Sequence, residues 1–488
     1  MTQPLDQITL SSGLTLSRIV TGLWQMADQE RDGRAVDLDR MAESLASYAR
    51  EGFTTFDMAD HYGSAEIVAG RAARILAAEG GPTPTILTKW CPAPGPMDAG
   101  TVRKGVETAL ERLGTDCVDV MQFHWWQYQS PEYLDALTEL MKLREEGLIS
   151  HIGLTNFDAA HLRMVLKQGI EIATNQVCFS VVDRRGGGEL TKVAAEHGVG
   201  LLGFGTLCGG FLSDRSLGQA KPAEITDWSR MKYMRFVEAI GGWDRFQGLL
   251  ETLSAVGQRH GASISNVASR WVLDQPATAG VIVGVRLGEN SHRDDNRKLL
   301  DLQLTEEDRA QIAQATDLLQ PIPGDCGDEY RKPPFLTASG DLSDHLGALP
   351  PVMSSRPAPK RASRTLAESG SIWEEKAGFA RAIRKGNRIL VSGTTATDPH
   401  GNSVCPEDAE GQAVYILDKI TGALTTLGGQ IEDVMRTRIY LTDEADWQAV
   451  SAVHARYFGD VRPANTLIVV AKLIGDYAVE IEVEAELD

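Results

Sequence analysis

The chain has 488 residues, 42% of them hydrophobic and 24% charged, and a formal net charge of −19. That length exceeds one hydrophobic core and predicts two or three domains of an ordinary soluble globular protein. The acidity, with a pI near 5.0, argues against nucleic acid or an anionic membrane as a partner.

The opening MTQPLDQITL has neither the basic nor the apolar segment of a secretory signal, and no apolar run reaches membrane-spanning length, so a cytoplasmic location is expected. Residues 8–10 and 14–20, split by Ser11-Ser12-Gly13, predict a hairpin leading into a first strand at about 18–25. An alternation then begins. Helical patterning at 37–51 precedes a strand at 53–57, 64–78 precedes 85–89, and 98–113 precedes 118–124. Helix 131–146 leads to strand 149–156, 158–167 to 173–180, and 189–197 to 199–206. Helices at 244–260 and 263–274 precede the eighth strand, 279–285. Strict alternation implies a parallel sheet with right-handed crossovers, and eight units in about 300 residues predict a closed (β/α)8 TIM barrel. The open dinucleotide-binding sheet lacks its fingerprint, since no GxGxxG lies between the first strand and first helix.

Residues 207–243, after the seventh strand, carry Gly209-Gly210, Trp228, Tyr233 and Gly241-Gly242-Trp243. They read either as a substrate lid or as a surface insertion with its own packing. From 326 to 368 the texture changes to Pro333-Pro334, Pro350-Pro351, Pro357-Ala358-Pro359 and the basic Lys360-Arg361. This predicts a linker whose first part folds back on the barrel. Residues 369–488 then form a small α+β pattern. Strands are expected at 389–392, 434–441, 466–474 and 479–486, with helices at 408–427 and 444–458. In the last strand Val479, Ile481, Val483 and Ala485 alternate with four glutamates, giving a sheet with one polar face. The domain limits are therefore 1–325, 326–368 and 369–488. Six scattered cysteines, without a CxxC pair or a His at ligand spacing, predict reduced thiols and no metal.

The second strand breaks into a turn bearing Asp57, Asp60, His61 and Tyr62, and two later strands end on Lys89 and His124. Carboxyl ends of strands are where an α/β barrel builds its active site. A carbonyl under hydride attack needs a proton donor, and a phenol of pKa about 10 is poorly matched to neutral pH. An ammonium some 4 Å away would favour the phenolate by about 4 kcal/mol at an effective dielectric of about 20, less whatever desolvation opposes. Asp57 would anchor that ammonium on Lys89, Tyr62 would donate the proton, and a neutral His124 would orient the carbonyl oxygen. No nucleophile is present, which suits oxidation or reduction better than hydrolysis.

The run Asp57-Met58-Ala59-Asp60-His61-Tyr62-Gly63-Ser64-Ala65-Glu66, with Lys89 and His124 in order, resembles the aldo-keto reductase family over about residues 5–325. The resemblance implies a nicotinamide coenzyme, usually NADP(H) with NAD(H) left open, lying across the strand ends. It assigns Thr155, Asn156 and Gln176 to the carboxamide and Phe204 to the nicotinamide face. Gly284, Arg286, Asp295 and Asn296 would follow the adenosine and its phosphates. Thr155 stands where Ser is common, Phe204 where Tyr is, and His292 where a basic residue is usual. Arg286 either pairs with a 2′-phosphate or is a solvated surface arginine. Trp24 and Trp125 are the expected substrate walls, with Trp126 expected in packing.

Residues 370–488 resemble the Rid/YjgF enamine–imine deaminase family through Arg381-Ala382-Ile383-Arg384-Lys385-Gly386, Val391-Ser392-Gly393, Arg462-Pro463-Ala464 and Val479-Glu480-Ile481-Glu482. That family is trimeric with a chorismate-mutase-like fold. Its deaminases carry, after the Pro-Ala pair, an arginine that grips a substrate carboxylate; here the position is Asn465. The expected protein is a homotrimeric carbonyl/alcohol oxidoreductase, with an imine among its possible substrates. The alternative is an enamine/imine deaminase or ligand-binding C-terminal domain with the barrel as redox sensor.

Overall fold

The computed structural model describes residues 5–30, 33–289, 291–331 and 351–488. A hairpin of β1 (Gln7–Thr9) and β2 (Thr15–Ser17) precedes eight strands that close on themselves. These are β3 (Ile19–Gly22), β4 (Thr55–Asp57), β5 (Thr85–Trp90), β6 (Val118–His124), β7 (Ile149–Thr155), β8 (Thr174–Cys178), β9 (Gly200–Phe204) and β10 (Thr278–Gly284). Each pairs in parallel with its neighbours, and β10 pairs with both β9 and β3, so the predicted barrel is the observed one.

Strand alternation fixes what the barrel holds. Leu14 and Leu16 of the hairpin join Val20, Leu87, Val120, Leu202 and Ala279 in an apolar plug. Two residues further along their strands, Leu87 gives way to Lys89 and Val120 to Gln122. A period of two puts these polar side chains on the same inward face, one layer above the plug.

The long segment after β9 is not an open loop. It carries helix Trp228–Ala239, whose Tyr233, Phe236 and Val237 are buried with Phe211, Trp243 and Phe246. Gly205, at φ +70°, makes room for it, because a Cβ there would meet the Tyr233 hydroxyl at 2.3 Å. The segment therefore has its own packing, while the first residues of its helix reach over the mouth: Trp24 Nε1 donates to Ser229 Oγ at 3.1 Å.

The C-terminal sheet is larger than the sequence suggests. It runs β11 (Ser354–Ala358), β12 (Arg361–Glu368), β13 (Ala382–Lys385), β14 (Arg388–Thr394), β17 (Val479–Glu486), β15 (Val434–Leu441), β16 (Ala464–Val469). The last part of the expected linker is thus a hairpin on the edge of this sheet. Pro357 is tolerated there because β11 pairs on one side only. At the linker's start helix Asp328–Arg331 does fold back on the barrel, with Arg331 donating to the Asn156 and Trp125 carbonyls, and Pro333-Pro334 and Pro350 lie outside the described residues. Helix Ala409–Thr426 crosses the sheet and packs on barrel helix Ala159–Lys167, so that one continuous buried cluster spans both domains.

Candidate active site

Lys89 Nζ donates to both Asp57 oxygens at 2.8 Å and to the Met58 carbonyl at 2.9 Å. Both side chains are almost fully buried, at 3% and 4% exposure. Asp57 Oδ1 also accepts from Gln122 Nε2 at 2.9 Å and Gln176 Nε2 at 2.6 Å. The ammonium lies 4.9 Å from the centre of the Tyr62 ring. Asp57, Tyr62 and Lys89 thus meet at the carboxyl ends of β4 and β5, as the sequence predicts.

The predicted electrostatics need revision. Burial pushes the Tyr62 phenol well above its ordinary range, and Asp57 adds to the rise. Tyr62 stays partly open to solvent, yet the lysine does not acidify it. The three N–H donors of Lys89 are taken by Asp57 and Met58, so its charge is largely met before it reaches the phenol. Tyr62 is therefore a protonated donor at neutral pH.

His124 closes β6. Burial, and then the Arg331 guanidinium, hold it well below the usual imidazole range, so it is neutral. Neither ring nitrogen has a hydrogen-bond partner among the described residues. Thr155 Oγ1 and Asn156 Oδ1 are likewise buried and unpartnered, and Asn156 holds φ +60°. Buried polar atoms without partners are uncommon, and a cluster of them at a barrel mouth is a place for a polar ligand. These atoms fit a carboxamide and a carbonyl oxygen. The Gln176 amide nitrogen instead serves Asp57 and Gln122 Oε1.

Trp24 stands edge-on to Tyr62 with ring centres 5.0 Å apart. Trp125 is placed otherwise than expected. It is fully buried, stacked on Phe123, with its indole N–H donating to the Gln127 and Ser130 carbonyls. Trp126, expected in packing, is also buried but stands 4.7 Å from the His124 ring. The difference is one of parity, since successive residues leaving a strand point to opposite sides. Phe204 ends β9, half-buried, and Gly284 ends β10, exposed. Arg286 is neither solvated nor free: it pairs at 2.6 Å with both Asp28 and Asp227. Asp295 accepts from Ser263 and Asn266, Asn296 is half-buried on helix Arg293–Asp301, and His292 is exposed at its start.

Sequence reasoning missed two residues beside His124. Tyr330 presents its ring at 5.4 Å, and its hydroxyl accepts from Lys232 Nζ at 2.5 Å. Both come from outside the βα units, so strand-end counting could not find them. In the second domain Asn465 is the second residue of β16, exposed, and its Oδ1 accepts from Thr437 Oγ1 at 3.2 Å.

Residues 18–317 match the model of the Aldo/keto reductase family, and residues 371–487 match that described as Endoribonuclease L-PSP. The chain is 23% identical over 334 residues to the NADH-specific methylglyoxal reductase of Escherichia coli, which covers 64% of this chain and 98% of that protein. It is 31% identical over 104 residues to a RutC family protein of Pyrococcus horikoshii, covering 21% of this chain and 82% of that one. A glycerol dehydrogenase from Gluconobacter oxydans shares the barrel fold, with TM-score 0.53 and 22% identity over 66% of this chain and 98% of its own.

Proposed function

Because the chain belongs to the aldo/keto reductase family through its barrel and to the RutC family through its C-terminal domain, we propose that it reduces a carbonyl substrate with a nicotinamide coenzyme. The observation that carries this reading is the buried Asp57–Lys89 pair beneath a protonated Tyr62, beside a neutral His124 with neither nitrogen engaged among the described residues. When bound, the coenzyme supplies a hydride to the carbonyl carbon. His124 orients the carbonyl oxygen through a ring N–H. Tyr62 gives its proton to that oxygen as it gains charge, with the buried Asp57–Lys89 pair holding the turn that carries it. Solvent then reprotonates Tyr62. Thr155 and Asn156 hold the carboxamide with their orphaned oxygens, and Trp24 walls the substrate space.

The coenzyme is NADP(H) in this reading. A 2′-phosphate reaching Arg286 displaces Asp28 or Asp227 from it, so the balance between NADPH and NADH rests on that triad. Steady-state comparison of the two coenzymes over a panel of carbonyls and sugars measures it. The C-terminal domain associates as a trimer, supported by the apolar residues it leaves exposed: Met435 at 62%, Ile468 at 45% and Val469 at 50%. Light scattering of the full chain gives the stoichiometry. Enamine deamination has less support, since Asn465 offers no guanidinium to a substrate carboxylate.

Tyr62→Phe is expected to lower carbonyl turnover by at least about 100-fold while coenzyme binding, read by fluorescence quenching, stays within about twofold. A variant that turns over at the wild-type rate removes Tyr62 from the reaction.

A further inference from the structure

We propose that Asp60, His61 and Cys91 form a site for a thiophilic divalent cation of the zinc type at the rim of the barrel mouth. Asp60 and His61 lie in the turn after β4, and Cys91 directly follows β5. Backbone pairing brings the two ends together: the Asp60 amide donates to the Lys89 carbonyl at 2.9 Å. The Asp60 carboxylate accepts from the Cys91 amide at 3.0 Å and lies 2.9 Å from His61 Nδ1. One donor atom from each of the three residues falls within 4.8 Å of the other two.

Thiolate, imidazole and carboxylate are the donors zinc takes, and three protein ligands leave a fourth position open. The charges nearby favour a cation. Asp57 is matched by Lys89 and Glu66 by Arg112. Asp60 has only His61 as an ion-pair partner among the described residues. Glu30 adds another carboxylate at the same turn, accepting from the Ser64 amide at 2.7 Å. All three side chains keep some solvent access, which gives an ion its way in.

A second cluster shows what disqualifies such a grouping. Cys178, Asp183 and Glu329 are equally close, but Arg185 lies among them, pairing with Asp183 at 2.8 Å and Glu329 at 2.9 Å. The cation there is already part of the protein.

The site stands apart from the reductase reading and is tested without coenzyme or carbonyl. Cobalt(II) chloride titrated into the reduced full chain is expected to build a thiolate-to-cobalt charge-transfer band that saturates at one equivalent and is discharged by zinc. Cys91→Ser abolishes the band. Cys117→Ser, at another partly exposed thiol, leaves it unchanged. His61→Asn keeps the thiol but weakens cobalt at least about tenfold. Circular dichroism verifies each fold, and if Cys91→Ser fails to fold, His61→Asn decides. No band at one equivalent, a band surviving Cys91→Ser, or unchanged affinity in His61→Asn overturns the proposal.

Discussion

Two buried histidines divide this molecule. His124, at 2% exposure, sits at the barrel mouth with both ring nitrogens unpartnered among the described residues, and burial and neighbouring cations keep it neutral. His161, at 1%, sits where the domains meet and has a carboxylate at each nitrogen. Its Nδ1 lies 2.9 Å from Asp158 and its Nε2 lies 2.8 Å from Asp418 of the second domain. Burial opposes its charge, but the two carboxylates outweigh burial and its pKa is raised. The first arrangement leaves buried polar atoms without partners among the described residues, at a cost of about 1–3 kcal/mol each until a partner is supplied. The second is a completed fastening. The two are linked through Tyr128, which stacks on His161 at 3.4 Å and donates to the Asn156 carbonyl at 3.4 Å. Arg331 covers the other side, 4.0 Å over the Tyr128 ring, donating to the same carbonyl at 2.8 Å.

The largest expected effect is at the mouth. Lys89→Met removes one partner of a buried ion pair and leaves Asp57 to two amide donors, a change worth about 3–5 kcal/mol. Urea unfolding is expected to show that loss. Asp57→Asn combined with Lys89→Met should cost less than the sum of the single changes. Additive losses would mean that the pair does not act as a unit and that the mouth is held by something else.

At the interface the expected loss is smaller. Arg456 pairs with Asp158 at 2.8 Å from the second domain, and Arg456→Met should destabilise by about 2–3 kcal/mol, the range of a hydrogen bond to a charged group. His400 also crosses the interface, 3.3 Å from Asp135, but it is 66% exposed. His400→Ala should therefore change stability by no more than about 0.5 kcal/mol. Equal losses from the two variants would dissolve the distinction between a buried fastening and a surface contact.

The barrel was legible because its signals are local and repeated. Alternating apolar runs and helical patterning placed all eight strands, with no end shifted by more than three residues. Asp57, Tyr62, Lys89 and His124 were legible for the same reason, each lying at or just after a strand end. What escaped depends on long-range contact. Tyr330 and Arg331 reach the mouth from a short helix after the barrel, and Cys91 meets His61 only because β4 and β5 pair. Asp158, His161, Asp418 and Arg456 carry no motif, and 257 positions separate His161 from its second carboxylate. The hairpin β11–β12 was hidden by composition, since Pro357 and neighbouring charges describe an exposed edge as well as a linker. The direction of the Tyr62 shift follows from its burial and then from Asp57, which spacing does not record.

Titration gives the sharpest contrast, because the two histidines are expected to act with opposite sign. His161 binds its proton more tightly folded than unfolded. Its contribution is fully present below the unfolded imidazole pKa of about 6.5 and is lost as pH rises through its raised folded value. His124 is the reverse. Its folded form resists protonation, so stability falls as pH drops below about 6.5. Each pK unit of difference is worth about 1.4 kcal/mol. His161→Gln should therefore flatten the alkaline side of a stability–pH profile, and His124→Gln the acid side. Profiles measured by urea unfolding at fixed ionic strength would separate the two. A variant that flattens the opposite limb would reverse the protonation state assigned to that ring, and for His124 it would also remove the neutral N–H on which the proposed carbonyl orientation depends.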